Sequence, residues 1–411
     1  MRSLDTIQNK AHMLTAWALT GIGFFLPIST GLTNLMLLLF LIAWLLSGHW
    51  AEKWHALQHS PAALVCLAFF GLVLVGTQYG EKSADTQYAL KYAVVLLVPL
   101  ALSSGLRTRE IWCSVAGFCG AMVLTLVLSY AIWFGLLPEG VFKNIGADNP
   151  VVFKLHITHS FFMALAACFL YFAASTQKGP RRYLLLGIAA LAVINVLLMV
   201  KGRTGQITLL ILGIYIFHCR FRRHGLWAGT LAALIVFSSL YFLSQPFKNR
   251  INIALTEAAQ WETHKGDEKS SIGTRLDFYT NTYAIIRQHP LIGVGTEGFP
   301  HAYKQQVEGM PIPPTENPHN QYLLLAAQLG ILGLLALLSL HFIFWSQARR
   351  LTAPFACIGG GVILAYLVGN LFNSLLIDFS ERILFFWAMG CLLSAQPEES
   401  EMPVTRTKEL P

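Results

Sequence analysis

Long apolar segments separated by short polar turns make up most of the chain. A membrane-spanning helix needs about 20 mostly apolar residues. Segments of this kind lie at 12–28, 29–48, 60–79, 88–104, 110–136, 156–176, 182–200, 204–220, 225–244, 320–345, 354–376 and 380–396. The pattern predicts an all-α, polytopic membrane protein with about 12 transmembrane helices. The predicted divisions are 1–244 (helices one to nine), 245–319 (a large loop), 320–396 (helices ten to twelve) and 397–411 (a polar cytoplasmic tail).

The composition agrees with this pattern. Of the 411 residues, 55% are hydrophobic and only 12% are charged, whereas a soluble domain carries about 25% charged residues. The net charge of +8 could suggest a nucleic-acid partner. The basic residues cluster between apolar segments, however, as the positive-inside rule expects. The sequence therefore predicts membrane lipids around the chain and no nucleic-acid partner.

The short loops also predict an orientation. The side that includes the chain termini holds thirteen basic residues: Arg2, Lys10, Lys53, Arg107, Arg109, Lys178, Arg181, Arg182, Arg220, Arg222, Arg223, Arg349 and Arg350. The opposite short loops hold seven: Lys82, Lys91, Lys143, Lys154, Lys201, Arg203 and Arg382. The excess of basic residues predicts cytoplasmic termini and places the 245–319 loop on the extracytoplasmic side.

Several common kinds of site are missing from the sequence. All seven cysteines lie in or at the ends of apolar segments, and no C-x-x-C pair occurs, which argues against a disulfide framework or a zinc site. The large loop has no D-x-D motif, and no Walker A or G-x-G-x-x-G sequence follows a strand. We therefore expect no cofactor and no metal. No internal repeat is visible, which argues against many secondary transporters.

The 245–319 loop is a polar region rich in aromatic side chains, which argues against disorder. Two helices are predicted within it from residues that share a face: first Ile251, Leu255 and Ala258, then Leu276, Tyr279, Tyr283 and Ile286. A capping box from Thr274 to Asp277 predicts that the second helix begins at about Arg275. Pro290 ends it, and a glycine-rich turn follows at 291–295. The loop is predicted to form a helical lid over the bundle.

His319 is the strongest candidate for a catalytic residue. It lies where the chain re-enters the membrane, with Asn317 suited to an N-cap and Pro318 suited to the first helical position. This placement predicts a neutral imidazole in the first turn of a helix, which is the form that a general base requires. The alternative, an interfacial histidine that only forms hydrogen bonds, stays open. Asn320 and Gln321 beside it are candidates for substrate binding.

Two arginines are candidates for an anion site. Arg203 lies with Lys201 in the tight turn 201–205, where two glycines favour a close approach of the backbone. Arg275, in the predicted first turn of the lid helix, would lie beside free backbone N–H groups. The alternatives are a snorkelling side chain for Arg203 and a solvated one for Arg275.

A further charged cluster is predicted between the last two helices, from Asp378, Glu381 and Arg382, with Lys91 in a similar position at the start of the fourth helix. Charges at a membrane edge often mark function, although a local Asp–Arg pair would explain them equally well.

His156 and His159 share a helix face. Two nitrogens without a nearby carboxylate make a weak metal site.

Together these residues predict a chemistry. Outward-facing cations around one histidine favour an anionic lipid headgroup as the partner, and a diphosphate fits a clamp of two arginines best. The reaction would be displacement of the lipid phosphate, with histidine taking the proton from an incoming hydroxyl and the arginines stabilising the departing oxygen.

Five short motifs resemble the O-antigen ligase and polymerase superfamily of bacterial envelopes. They are R-T-G at Arg203, G-T-R-L-x-x-Y from Gly273, H-P-L-I-G-V-G from His289, H-N-Q-Y-L from His319 and the G-I-L-G that follows at 330–333. The specific match covers roughly residues 200–335, and the hydropathy pattern extends it loosely to the whole chain. The order, spacing and topology of the motifs carry the resemblance.

The resemblance implies an O-antigen ligase with a GT-C-like fold in the bacterial inner membrane. Such enzymes move a glycan from undecaprenyl diphosphate to a lipid A–core sugar at the periplasmic face, without nucleotide or metal. It also implies His319 as the base and Arg203 and Arg275 as the diphosphate-binding arginines. Two alternatives stay open: an O-antigen polymerase with the same donor, and a transporter of lipid-linked glycans.

Overall fold

A computed structural model of the protein describes residues 2–81, 88–137, 146, 148–261 and 270–395. Lys82, Lys143 and the predicted tail at 397–411 lie outside these residues. In the first half of the chain the helices are α1 (Arg2–Phe25), α2 (Thr30–Leu46), α3 (Trp50–Gln58), α4 (Pro61–Gly76), α5 (Tyr88–Tyr92), α6 (Leu97–Leu102), α7 (Thr108–Trp133) and α8 (His156–Ser175). A 3-10 turn at Ala93–Leu96 joins α5 to α6.

The second half is also helical. Its helices are α9 (Pro180–Ile194), α10 (Arg203–Phe221), α11 (Arg223–Leu243), α12 (Gln245–Ala259), α13 (Ser271–Gln288), α14 (Phe299–Gln306), α15 (Gln321–Ala348), α16 (Phe355–Gly369) and α17 (Phe379–Leu393). A π-helical turn, Asn195–Met199, extends α9. The described residues contain no strand beyond an isolated bridge between Gly146 and Asn149. The predicted all-α class is confirmed.

The membrane character is confirmed as a multi-pass architecture. By length and composition, six described helices can cross a bilayer: α7, α8, α9 with its π-helical turn, α10, α11 and α15. The pair α2 and α3, bent by 111°, would add a seventh. The shorter apolar helices Pro61–Gly76, Tyr88–Leu102 and Phe355–Gly369 fall below the length of about 20 residues that a perpendicular span needs. The number 12 therefore stays a prediction.

The glycine-rich turn of the large loop packs into a break in α15. Gly330 has non-helical angles (φ 63°, ψ −153°), which bend the helix there. The bend frees the carbonyls of Ala327 and Gln328, and these accept hydrogen bonds from the N–H groups of Val294 (2.9 Å) and Gly295 (2.8 Å). A Cβ at Gly330 would lie 2.3 Å from backbone atoms of Leu291, so only glycine fits this contact. The turn therefore replaces the helical hydrogen bonds that the bend removes.

The same segment continues into the bundle. Thr296 is fully buried, and its hydroxyl donates to the carbonyl of Val73 (2.7 Å) while its N–H donates to Gly76 (2.9 Å). Phe299 and Tyr303 in α14 are also fully buried. The interpretation of the loop as a lid over the bundle was therefore incomplete. Part of the loop is embedded between α4 and α15, because its N–H and hydroxyl groups find partners there.

The two predicted loop helices are present, but their buried faces differ from the prediction. Leu255 on α12 is 64% exposed, and Tyr283 on α13 is 58% exposed. The buried face of α13 instead consists of Gly273, Asp277, Phe278, Asn281, Thr282 and Ile285. The prediction failed because it followed hydrophobicity alone. In the structure, polar groups on the buried face form hydrogen bonds, such as Asp277 with the indole N–H of Trp261 at 2.7 Å.

Candidate functional site

Three arginines converge from three separate elements. Arg203 is the first residue of α10, Arg250 lies in α12 and Arg275 lies in α13. Arg203 interacts electrostatically with both Arg250 and Arg275. Burial lowers the pKa of Arg250 and of Arg275, and the charge of Arg203 lowers both pKa values further. We call Arg203, Arg250 and Arg275 the arginine cluster. Like charges held together in a partly buried place favour an anion among them.

A described carboxylate near this cluster, Asp148, is already paired with a lysine. Lys201 forms an ion pair with Asp148, and that hydrogen bond is the main reason why the pKa of Asp148 lies below its ordinary value. Asp148 also interacts with Arg250. The described side chains that interact with the three arginines thus include one carboxylate, which Lys201 already neutralises. The predicted substrate contact of Lys201 stays a prediction, whereas Arg203 and Arg275 are brought together as expected.

Arg250→Ala is expected to weaken donor binding roughly ten- to a hundredfold, because a charge-assisted phosphate contact contributes about 1.5–3 kcal/mol. The same change should raise the melting temperature of the donor-free protein, since it removes like-charge repulsion. Titration with a lipid diphosphate and thermal unfolding measure the two effects. Lys248→Ala on the same helix is the control, because Lys248 lies over the Tyr241 ring (5.9 Å). Equal effects of both variants would contradict a specific role of Arg250.

The structure corrects the local environment of Arg275. The N-cap of α13 is Ser270, whose side chain accepts the N–H of Gly273 (2.9 Å), so the helix begins four residues before the predicted start. The N–H of Ile272 donates to the carboxylate of Glu257 (2.9 Å). Thr274 donates to the carbonyl of Ser270 (2.8 Å) rather than capping the helix. The helix N-terminus is therefore already occupied, and Arg275 acts with the other arginines instead of with free N–H groups.

His319 lies just outside α15 rather than in its first turn. The N-cap is Asn320, whose side-chain oxygen accepts the N–H groups of Tyr322 (3.0 Å) and Leu323 (3.1 Å). Asn317 accepts the N–H of His319 (2.8 Å). His319 itself has φ +55°, a left-handed backbone that few residues other than glycine adopt. Such strain persists only where surrounding contacts impose it, and it is frequent at functional sites.

The His319 ring lies close to the arginine cluster. It stacks on Phe278, with ring centroids 6.1 Å apart and an interplanar angle of 25°. Burial lowers the pKa of His319, and the charge of Arg275 lowers it further. Arg275 also interacts electrostatically with His156 at the start of α8. The predicted neutral imidazole thus has a physical basis, but its cause is burial and a neighbouring cation rather than a helix dipole.

A base with a lowered pKa gives a testable pH dependence. His319 accepts a proton only when neutral, so activity is present above its pKa and is lost as the pH falls through it. We expect the acid limb of kcat/KM to lie below 6.5, the ordinary histidine pKa. Arg275→Gln should move this limb upward, because it removes the charge that lowers the pKa. An acid limb that is unchanged in Arg275→Gln would contradict this coupling.

Tyr279 connects the backbone at His319 to the helical bundle. Its hydroxyl lies within hydrogen-bond distance of the carbonyl oxygens of His319 (3.3 Å) and Leu371 (3.1 Å). Tyr279 also interacts with the charge of Arg275. It is therefore a positioning residue that joins α13, the α15 entry and the turn after α16.

Tyr279→Phe is expected to lower kcat roughly five- to tenfold, the effect of losing about 1 kcal/mol of hydrogen bonding that holds the His319 backbone. KM should change little, since the aromatic ring stays in place. Steady-state kinetics measure both constants. Tyr283→Phe, one turn later and largely exposed, is the control. A larger change in KM than in kcat would argue against a positioning role.

Asn320 and the side-chain oxygen of Gln321 form structural contacts, whereas the side-chain nitrogen of Gln321 is buried without a hydrogen-bond partner among the described residues. The Asn320 side-chain N–H donates to the carbonyl of Leu371 (3.0 Å). Gln321 is fully buried and accepts the N–H of Leu376 (3.0 Å). Both therefore hold the 370–376 segment against the start of α15. Their predicted role in substrate binding stays a prediction.

The second predicted group is a mixed cluster of charges at α5 and α17. Lys91 lies 4.3 Å from the Tyr88 ring, and Arg382 donates to the carbonyl of Ile377 (2.8 Å). Burial and the charge of Glu381 raise the pKa of Asp378 to about 7, against the opposing effects of Arg382 and Lys91. The structure therefore brings Lys91, Asp378 and Arg382 together, and Glu381 is buried beside them.

Sequence reasoning missed Arg250. Only the apolar face of the 245–259 region was considered in the sequence, and a single arginine in a polar loop does not by itself indicate a binding site.

The structure separates His156 from His159. His156 interacts electrostatically with Arg275, whereas His159 is buried and pairs with Asn195 (3.1 Å). Among the described residues, no three His, Cys, Asp or Glu side chains form a group able to hold a metal.

A known protein family matches the part of the chain that contains the arginine cluster and His319. Residues 188–338 match the O-antigen ligase family. That span contains Arg203, Arg250, Arg275 and His319 but not the Lys91–Asp378–Arg382 cluster. An uncharacterized protein of Haemophilus influenzae is 26% identical over 181 residues, which cover 40% of this chain and 44% of the relative. The chain thus aligns with less than half the length of that relative. The family match supports the resemblance seen in the motifs: residues 188–338 of this chain are similar to the O-antigen ligase family.

Proposed function

We propose that the protein is an O-antigen ligase. It would transfer a glycan from undecaprenyl diphosphate to a hydroxyl of a lipid A–core sugar, as a glycosyltransferase that needs no metal. The observation that supports this most strongly is the arginine cluster next to His319. Three guanidiniums with one neutralised carboxylate suit a diphosphate, and the adjacent imidazole with a lowered pKa suits a general base.

The reaction follows from this arrangement. The arginines bind the diphosphate of the donor and leave the sugar carbon open to attack. The acceptor hydroxyl oxygen forms the new carbon–oxygen bond as the bond between that carbon and the diphosphate oxygen breaks. His319 takes the hydroxyl proton, and the arginine cluster stabilises the charge on the departing diphosphate. Fixed guanidiniums are suited to this task because they need little reorganisation as that charge develops.

The location of the site supports an extracytoplasmic reaction. Arg203 and His319 lie at helix ends, and Arg250 and Arg275 lie in the large loop, all of which the charge asymmetry assigns to the outer side. We therefore propose an inner-membrane enzyme whose active site faces the periplasm. The second charged cluster, Lys91, Asp378 and Arg382, lies at predicted outer helix ends, and we propose that it contacts the substrates.

A reconstituted transfer assay tests the proposal. Purified protein is mixed with a lipid-linked glycan donor and rough lipopolysaccharide as acceptor. Product on lipid A–core supports the ligase. Product found only on undecaprenyl diphosphate would indicate an O-antigen polymerase instead. Absence of product together with movement of the lipid-linked glycan across proteoliposomes would reject both enzymes in favour of a transporter.

A further inference from the structure

A pair of cysteines lies at the end of the bundle opposite the arginine cluster. Cys219 is in the last turn of α10 and Cys357 is in the first turn of α16. Both line one cleft of about 300 Å³, together with Ser175, Arg220 and Pro354 among others. We infer that Cys219 and Cys357 form a dithiol modification site, which small-molecule disulfides convert into an intramolecular disulfide. This inference is independent of the proposed transfer reaction.

The packing of α10 on α16 explains why the two thiols meet. Gly360 has no side chain where α10 places Tyr215, and a Cβ there would lie 2.1 Å from the tyrosine oxygen. Cys219 follows Tyr215 by four residues, and Cys357 precedes Gly360 by three. In antiparallel helices, four residues forward along α10 and three residues back along α16 are both a step of about one turn in the same direction. Cys219 and Cys357 therefore lie along the same line of contact as Tyr215 and Gly360. The glycine therefore sets a close approach that places the two cysteines opposite each other.

The two thiols are free, half-buried and interact directly with each other. Access through the cleft distinguishes them from Cys66, Cys119, Cys168 and Cys391, which are buried. Cys113 is exposed on α7 and is not part of the cleft. The polar residues Ser175 and Arg220 line the same cleft, so a small polar disulfide can approach the thiols there. Cys168 also interacts with both thiols, but it is buried and lines a different cavity, whereas Cys219 and Cys357 share this cleft.

The chemistry is thiol–disulfide exchange. One cysteine thiolate attacks a sulfur of the small disulfide, forms a mixed disulfide and releases one small thiol. The second cysteine then attacks the protein-bound sulfur, forms the bond between residues 219 and 357 and releases the second small thiol. The two protein thiols lose two electrons, and the small disulfide gains them. Two protons pass to the released thiols.

The resulting bond would join two helices that already contact at their other ends. There the side-chain amide of Asn373, just after α16, donates to the hydroxyl of Thr204 in the first turn of α10 (2.8 Å). Oxidation would therefore connect α10 and α16 at both ends of their contact. Reduction would restore the two free thiols.

Peptide mapping tests this inference. The purified full-length protein is incubated with glutathione disulfide, remaining thiols are blocked with N-ethylmaleimide, and proteolytic fragments are analysed by mass spectrometry. We expect a cross-linked peptide that joins residues 219 and 357, that disappears after dithiothreitol, and that is absent from Cys219→Ser and Cys357→Ser. The matched control Cys168→Ser should retain it.

Three results would overturn the inference. The first is glutathione attached separately to Cys219 and Cys357 without a cross-link. The second is a cross-link from either cysteine to Cys168 instead. The third is wild-type protein whose two cysteines both stay available to N-ethylmaleimide at every ratio of oxidised to reduced glutathione. Because the wild-type protein itself gives the decisive measurement, a poorly folded variant cannot obscure it.

Discussion

His319→Ala is expected to lower glycan transfer by roughly 10²–10⁴-fold while leaving binding of the lipid-linked donor nearly unchanged. A general base contributes about that factor to a proton-transfer step. The donor should still bind, because its diphosphate is held by Arg203, Arg250 and Arg275 rather than by the imidazole. Single-turnover transfer measures the first effect, and titration with undecaprenyl diphosphate measures the second.

The left-handed backbone of His319 makes a second variant necessary, to separate loss of the imidazole from a backbone shift. Its φ of +55° is unfavourable for alanine, so His319→Ala could act by shifting the backbone. Asparagine adopts this conformation more readily but cannot serve as a base. His319→Asn should therefore be as inactive as His319→Ala. His289→Ala, at the exposed end of α13, is the matched control and should be fully active. Retained transfer in His319→Asn, or loss of donor binding in both variants, would refute the assignment.

Arg275→Lys is expected to lower kcat/KM on the order of ten- to a hundredfold although it keeps the charge. Lysine cannot reproduce the planar pair of donors with which a guanidinium binds a phosphate. Losing one charge-assisted contact costs about 1.5–3 kcal/mol, and each 1.4 kcal/mol is about tenfold. The electrostatic interaction with Arg203 should persist. The decrease in kcat/KM would therefore come from the lost guanidinium geometry and not from a change in net charge.

The matched control for this variant is Arg287→Lys, an exposed position in the last turn of the same helix. It should retain wild-type kcat/KM. Full activity in Arg275→Lys would exclude a bidentate contact of Arg275 with the donor, since such a contact does not survive that change. An equal loss in both variants would indicate a general effect on α13 rather than a contact with the donor.

The sequence predicted correctly those features that depend on residues close together along the chain. Apolar length determined the helical segments, because a bilayer requires about 20 apolar residues for each span. The turn at 291–295 was predicted from its glycines, since their backbone freedom is a property of the residue itself. Arg203, Arg275 and His319 were singled out by residue type and by their place beside apolar segments, and the superfamily followed from the motifs around them.

The errors arose where long-range contacts outweighed local preference. Thr274 and Asp277 form a capping box only in the sequence, because Ser270 caps the helix and Asp277 pairs with Trp261. Asn317 looked like the N-cap of α15, but Asn320 takes that place, because its side chain also reaches the carbonyl of Leu371. Each choice depends on a partner that is distant along the chain.

The sequence by itself thus determined that this is a helical membrane protein with cations and a candidate histidine, His319, around a polar loop. Only the tertiary structure decided that Arg250 joins Arg203 and Arg275, and that His319 stands outside its helix in a left-handed conformation. The reason is physical. Hydrophobic length and residue chemistry act over a few residues, whereas this charge cluster exists only when three separate helices bring their arginines together.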